Sequence, residues 1–324
     1  MDPRLFNAIV VVVGVPGALV GYILLIETLL RGVPGRLQGR IRPWLWLLPA
    51  FGFLGVFLVY PTIQTVIKSF QDRAARNFIG LANYEWFFGS SEMVSTLVNT
   101  LVWVVLLPLI TVGVGLLIAV LLDRVKYESI AKSAIFLPLA ISATAAGVIW
   151  FFMFLWQPPG QPQVGTLNGI LDAAGADPVA FLQVSDYRFN TVMLVIVMAW
   201  MWTGFAMVII SAAYKGISRE LMEAARVDGA TEWQVFKGIV WPLLLPTIAV
   251  ISTTMIITAL KAFDLVYVMS GGQFDTSVIA FEMIQQFGFG QQGRSSAVAV
   301  ILLLAIIPIM AFNIRRFQAQ EAIQ

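Results

Sequence analysis

Seven stretches of this chain are apolar for the roughly 20 residues that a helix needs to cross about 30 Å of lipid hydrocarbon. They run over residues 5–28, 44–67, 97–122, 134–156, 190–213, 243–268 and 297–314. Backbone polar groups inside a bilayer must be satisfied within the segment, and a single continuous apolar run achieves this only as a helix. The stretch from Leu5 to Ile26 is longer than the apolar core of a secretory leader, and no small-residue cleavage site follows it. It is therefore read as a span, with Gly14, Pro16 and Gly17 marking a kink. The expected fold is all-α, a polytopic membrane protein of about seven transmembrane helices.

Composition agrees with this and excludes much chemistry. Hydrophobic residues make up 59% of the 324 and charged residues 12%, against about 45–50% and 25% in soluble domains. With no histidine and no cysteine, disulfides, thiolate nucleophiles, His-based triads and the common zinc sites are excluded. No catalytic residue, metal or cofactor is expected. A net charge of +2 gives no reason to expect nucleic acid. No G-x-x-x-x-G-K-[ST] phosphate cradle occurs, since Lys68 and Lys132 precede serines without the glycine frame. ATP energy, if it drives this protein, has to come from another chain.

Lys and Arg in the connections set the orientation. One alternating set holds Arg31, Arg36, Arg40, Arg42, Arg124, Lys126, Lys132, Lys215, Arg219, Arg226, Lys237, Arg315 and Arg316; the other holds Arg4, Lys68, Arg73, Arg76, Arg188 and Arg294. Thirteen against six places the first set in the cytoplasm, with the N-terminus outside and the C-terminus inside. Two outer connections, 69–96 and 157–189, are long and mix aromatics with turn residues. The second opens on a helix-stopping run, Gln157 to Pro162, and residues 167–174 suit a short amphipathic helix. Two readings stay open for it: a solvated tether, or a docking surface for an extracytoplasmic partner.

The cytoplasmic connection 215–242 differs from the others. Ser218 is placed to cap a short helix through Val227, and Gly229 suits the left-handed position that ends it. Thr231 with Gln234 forms a second capping box. Two short helices meeting at a glycine predict a compact knob at the membrane face. Glu223 and Asp228 can pair with basic groups of a partner, Ala224 and Ala225 permit close backbone approach, and Gly229 permits a sharp redirection.

Glu223-Ala224-Ala225, three residues, Gly229, nine residues, then Ile239 and Pro242 resembles the "EAA" loop of ABC importer permease subunits; Trp241 stands where that pattern prefers Leu. Phe78 to Tyr84, Asn99-Thr100-Leu101 and Phe263 to Gly272 resemble segments of the carbohydrate branch, although Gln273 replaces its usual Pro. Thr203 to Met207 and the loop from Gly165 to Leu182 are most similar to maltose and α-glucoside permeases. The resemblance covers about residues 43–317. It implies a six-helix permease domain over 43–324 and an added N-terminal helix with a basic connection over 1–42. It further implies an inner-membrane subunit of a prokaryotic importer for a di- or oligosaccharide such as an α-glucoside, maltose or trehalose. The implied partners are a second permease, an ATPase dimer, an extracytoplasmic sugar-binding protein and membrane lipid.

A sugar pathway calls for aromatic faces and polar groups. Met198, Met201, Trp202 and Phe205 share one face of the fifth span, and Met255, Thr258, Ala259 and Ala262 have the same spacing on the sixth. Such stripes also serve simple helix packing. By resemblance they align with pathway residues, with Met198, Ala259 and Ala262 standing in place of the family's asparagines. Lys261 and Asp264, three apart, are expected on one helical face near the outer interface, snorkelling and paired. Rival readings are an ABC permease for another solute such as glycerol phosphate, an ion-coupled secondary carrier, and an intramembrane hydrolase. The first calls for a polar or basic pathway, the second does not require a loop of this pattern, and no Ser-Lys or paired-Asp site supports the third.

Overall fold

The computed structural model describes residues 3–123 and 125–321; Arg124, one of the cations expected on the cytoplasmic side, and both chain termini lie outside the described residues. Two compact units are present, Met1–Gln64 and Thr65–Gln324. In the first, helix α1 (Pro3–Arg31) runs uninterrupted through Pro16, and α2 (Gly35–Leu54) follows after a three-residue turn. Tyr22 donates to the Leu45 carbonyl, and the Gln38 amide donates to the carbonyls of Leu30 and Val33, each at 2.9 Å. The boundary expected at 42/43 falls inside α2.

Two wide π turns, Gly55–Val59 and Phe236–Val240, each precede a proline, Pro61 and Pro242. Proline lacks the N–H that continues the ladder, and its ring clashes with the carbonyl four residues back. In each case that carbonyl lies within the wide turn, where an i→i+5 bond, Tyr60 N–H to Gly55 and Trp241 N–H to Phe236, gives the ring room. The helix continues in both places, as α3 (Tyr60–Ser69) and as α12 (Trp241–Leu260).

The second unit is built on α5 (Ser91–Leu122) against α9 (Phe189–Lys215), joined by α12. Between apolar helices in lipid, association depends on close van der Waals packing. Gly115 of α5 supplies it, because a Cβ there would lie 2.9 Å from the Ala206 Cβ of α9. Gly204 of α9 does the same for α6 (Glu128–Phe136), where a Cβ would meet the Ile135 carbonyl oxygen at 2.5 Å. Trp103, Leu107, Leu194, Met207, Leu244, Ile251 and Met255 are fully buried in the resulting core.

Two expected spans are not single helices. The segment expected over 134–156 is bent by 99° between α6, with the 3₁₀ turn Leu137–Ala140, and α7 (Ala143–Phe154). Pro138 cannot continue the α ladder, and Ser142, in extended conformation, restarts a helix by accepting from the Ala145 N–H at 3.2 Å. Six helices are therefore long and apolar enough to cross a membrane, or seven if the bent pair is one span, among the described residues. The span expected over 243–268 stops at Leu260, and α13 (Asp264–Met269) starts afresh. Ala262 thus lies beyond the helix that carries Met255, Thr258 and Ala259, and Lys261 and Asp264 do not share a helical face.

The shorter helices are α4 (Ala82–Gly89), α8 (Thr166–Ala173), α10 (Arg219–Val227), α11 (Glu232–Val235) and α14 (Ile279–Gly288), followed by the long α15 (Gln292–Glu321). The connection 157–189 is built around α8, close to the helix expected at 167–174. Asn168, with no exposed surface, donates to the carbonyls of Leu155 and Val179 at 3.0 Å and accepts from the Val179 N–H at 2.8 Å.

Candidate functional site

The segment after α9 folds into two helices at an angle. Helix α10 ends in a Schellman arrangement: Gly229 N–H donates to Arg226 at 3.1 Å, and Ala230 N–H donates to Ala225 at 2.9 Å. Gly229 itself sits at φ +86°, a conformation that strains any residue with a Cβ. Helix α11 opens with the expected capping box, Thr231 Oγ1 accepting from Gln234 N–H at 3.3 Å and the Gln234 side chain accepting from Thr231 N–H at 2.7 Å. Ser218 holds the N-cap position just before α10, but its hydroxyl makes no capping bond. Arg226 makes a two-pronged contact with Glu232, Nε to Oε1 at 2.7 Å and Nη2 to Oε2 at 3.3 Å, bracing the two helices across the glycine. This hydrogen-bonded carboxylate raises the guanidinium further above its ordinary value.

Ile217, Met222, Val235 and Val240 anchor this pair in the core. The opposite surface carries Glu223, Ala224, Asp228 and Gly229, all exposed, with Ala225 half-buried. Leu221, Val227 and Trp233 are 54%, 87% and 68% exposed around the same surface. Apolar side chains this open are available to a partner. Because α11 passes through the wide turn into α12, the knob and a membrane helix form one helical run from Glu232 to Leu260. A push on the knob therefore acts directly on a span.

The residues singled out on the two membrane faces separate into two groups. Met198, Met201, Met255 and Ala259 are buried within the chain's own core, as is Ala262 in the break after α12. Trp202, Phe205 and Thr258 keep exposed surface. Trp202 and Phe205 meet edge to face with ring centres 5.5 Å apart, and the Thr258 hydroxyl donates back to the Thr254 carbonyl at 2.8 Å.

A polar brace absent from the candidate residues closes the end of the bundle where α9 begins. Asn99 of α5, fully buried, donates to the Asp275 carbonyl at 2.7 Å and the Ser277 carbonyl at 2.9 Å, and Asn190 of α9 donates to the Phe274 carbonyl at 2.6 Å. Arg188 donates to the Asn99 side chain and to Ser95 Oγ at 3.1 Å, and lies 3.5 Å from Asp275 Oδ2. These bonds hold Phe274 and Asp275 at φ +54° and +59°, costly for residues other than glycine. The nearby Glu282 carboxyl is buried, which pushes its pKa up against the lowering effect of the Gln286 amide bonded to it. Only the asparagine at the start of the third span hinted at this brace in the sequence.

A bundle of span-length apolar helices with a braced knob continuous with one of them is the fold of a polytopic membrane protein. The chain belongs to the family described as binding-protein-dependent transport system inner membrane component, which it matches over residues 78–320. It is 48% identical over 281 residues, 86% of this chain and 100% of the relative, to the osmoprotective compounds uptake permease protein GgtC of Synechocystis. It is 42% identical over 282 residues, 86% of this chain and 83% of the relative, to the alpha-glucoside transport system permease protein AglF of Rhizobium meliloti. A crystal structure of a bacterial alginate ABC transporter in complex with an alginate pentasaccharide-bound periplasmic protein shares the fold: TM-score 0.72, 22% identity, covering 86% of this chain and 94% of that one.

Proposed function

We propose that this chain is the transmembrane permease subunit of an ATP-driven importer that moves a di- or oligosaccharide of the α-glucoside, maltose or trehalose kind. An extracytoplasmic binding protein delivers the sugar, a second permease completes the pathway, and a dimer of ATPase subunits receives the knob. The observation that carries this reading is the exposed surface Glu223-Ala224-Asp228-Gly229, with Ala225 half-buried beneath it, on a braced helix pair continuous with α12. The 42% identity to an alpha-glucoside permease supports the class of solute. Hydrolysis belongs to the partner, in keeping with the absence of a phosphate cradle in this sequence.

The chain has no cysteine, so single cysteines at Ala224 and Asp228 allow clean disulfide mapping. Both should cross-link to a cysteine placed in the ATPase cleft, and the reconstituted complex should import labelled α-glucosides with ATP. Absence of cross-links at both positions removes the docking assignment, and import of another solute class alone removes the sugar. For orientation, a protease-accessible tag ahead of the first residue should be cut from outside and one after the last only from inside. Two cytoplasmic tags would mean six crossings in place of seven.

On the pathway, Trp202 and Phe205 are the candidates with open aromatic surface. Phe205→Leu keeps most of the apolar volume, so a role in packing alone predicts a stability change of about 1.5 kcal/mol or less and normal uptake. A pathway role predicts uptake lost well beyond any loss of folded protein, with the binding protein's sugar affinity unaltered. Normal uptake by both Phe205→Leu and Trp202→Leu would remove this face from the pathway.

A further inference from the structure

A pocket of about 280 Å³ lies where the end of α7, the connection 180–183 and the loop after α13 meet. Phe189, the first residue of α9, stacks on Phe181 of the pocket wall, with ring centres 6.2 Å apart. The 27 residues of α9 then lead to the knob, about 40 Å away at 1.5 Å per residue. The pocket is thus at the opposite end of the bundle from the knob. Its wall is aromatic: Phe154, buried, lies against Phe181 with ring centres 5.1 Å apart, Trp156 is half-buried, and Phe274 is exposed at the rim. Phe274 is held at φ +54°, with its carbonyl bonded by Asn190, so the strained loop fixes where its backbone stands at the pocket.

Aliphatic side chains such as Leu182 and Met269 fill out the lining, and its amides come from Gln183 and Gln273, both exposed; among the described residues neither side-chain amide makes a hydrogen bond. No ionisable residue lines the pocket. A wall without charge does not suit phosphates, carboxylates or ammonium groups, whereas aromatic faces beside unpaired amides suit a molecule with a C–H face and a rim of hydroxyls. At about 280 Å³ it lies just under the roughly 300–1,000 Å³ usual for small-molecule sites, a size that suits one pyranose ring rather than a whole oligosaccharide.

We infer that this pocket is an outer subsite for one neutral hexopyranose ring of the sugar, with ring stacking from Trp156 and Phe274 and hydroxyl contacts from Gln183 and Gln273. The inference rests on the sugar-importer reading above. An oligosaccharide would seat one terminal ring here and leave the remainder outside.

The test uses the complete membrane complex in lipid nanodiscs without the binding protein, with methyl α-D-glucopyranoside as the probe in saturation-transfer NMR. Transfer to the ring protons is expected. Weakening of the probe by about fivefold or more is expected in Gln183→Ala/Gln273→Ala, where two hydroxyl contacts are lost, and in Trp156→Ala. Both glutamines are exposed, so the double variant should assemble normally and decides the matter alone if Trp156→Ala does not. No transfer to the wild type, or transfer undiminished in the double variant, overturns the subsite. ATP-driven glucoside uptake by the wild-type complex with its binding protein runs in parallel. Uptake without probe transfer rejects the subsite and leaves the importer reading standing, whereas absence of any glucoside uptake rejects the glucoside assignment on which the subsite rests.

Discussion

The knob between α9 and α12 and the loop that closes the other end of the bundle are both short and rich in turn residues, yet they are held by opposite means. In the knob the bracing bonds are local: Arg226 to Glu232 spans six residues, and Thr231 to Gln234 spans three. In the loop the partners are distant in sequence: Asn99 reaches Asp275 and Ser277 across 176 and 178 residues, and Thr100 Oγ1 accepts from Ile279 N–H across 179. A locally braced element keeps its shape while the body moves and transmits displacement as a unit. A loop braced from α5 and α9 holds its shape only while those helices keep their spacing, so the two ends of the bundle should fail differently.

The largest effect is expected from Gly229→Pro. Proline fixes φ near −65° where the chain needs +86°, and it removes the N–H bonded to Arg226. Uptake should be abolished while membrane insertion, judged by protease protection of the spans, stays intact. Retained uptake would show that the bend between α10 and α11 does not matter. Glu223→Lys leaves the bend intact and reverses one exposed charge, and it should reduce recovery of the ATPase subunit on co-purification.

Asn99→Ala should come next. It leaves the buried Ser277 carbonyl, the part-buried Asp275 carbonyl and the Arg188 guanidinium short of a partner, a loss of about 2–4 kcal/mol. Hydrogen exchange should quicken over 271–279 and stay unchanged over 218–235. Equal quickening in both regions would dissolve the contrast between them.

The smallest effect concerns the turn between α3 and α4, where the bracing bonds are again local. Asp72 accepts from the Arg76 N–H at 2.9 Å and from the Asn77 side chain at 2.6 Å, and these bonds hold its carboxyl below the usual 3.8. A depressed carboxylate contributes stability that is complete above the unfolded value and is lost as pH falls through the folded one. The turn should therefore be unaffected down to about pH 4 and loosen only below it, whereas Asp72→Asn should loosen it slightly at every pH. Exchange over 71–78 across this range checks the sign, and loosening on raising the pH above 4 would contradict it.

The knob was almost wholly legible because its determinants lie within a few residues of one another. Gly229 ends a helix through its own φ, Thr231 and Gln234 cap through their own backbone, and only the Ser218 cap expected beside them is not made. The spans were legible because lipid enforces length and apolarity on each segment separately. The break at Ser142 and the stop at Leu260 do not show in hydropathy, which continues across both: Pro138 and the Ser142 cap mark the first locally, and the redirected pieces are held by the packing of α6 on α9 and of α13 on α7. The membrane faces show the same division. Spacing grouped Met198, Met201, Trp202 and Phe205, but only the neighbouring helices decide that the methionines are buried while the aromatic rings keep open surface. The sequence by itself determined helix content, the number of apolar runs, the knob and its turn, all governed by interactions within one stretch of chain. Tertiary structure decided where helices bend, which side of each is covered, and how Asn99, Arg188 and Asn190 close the far end, because those outcomes depend on groups that meet only once α5 and α9 have packed.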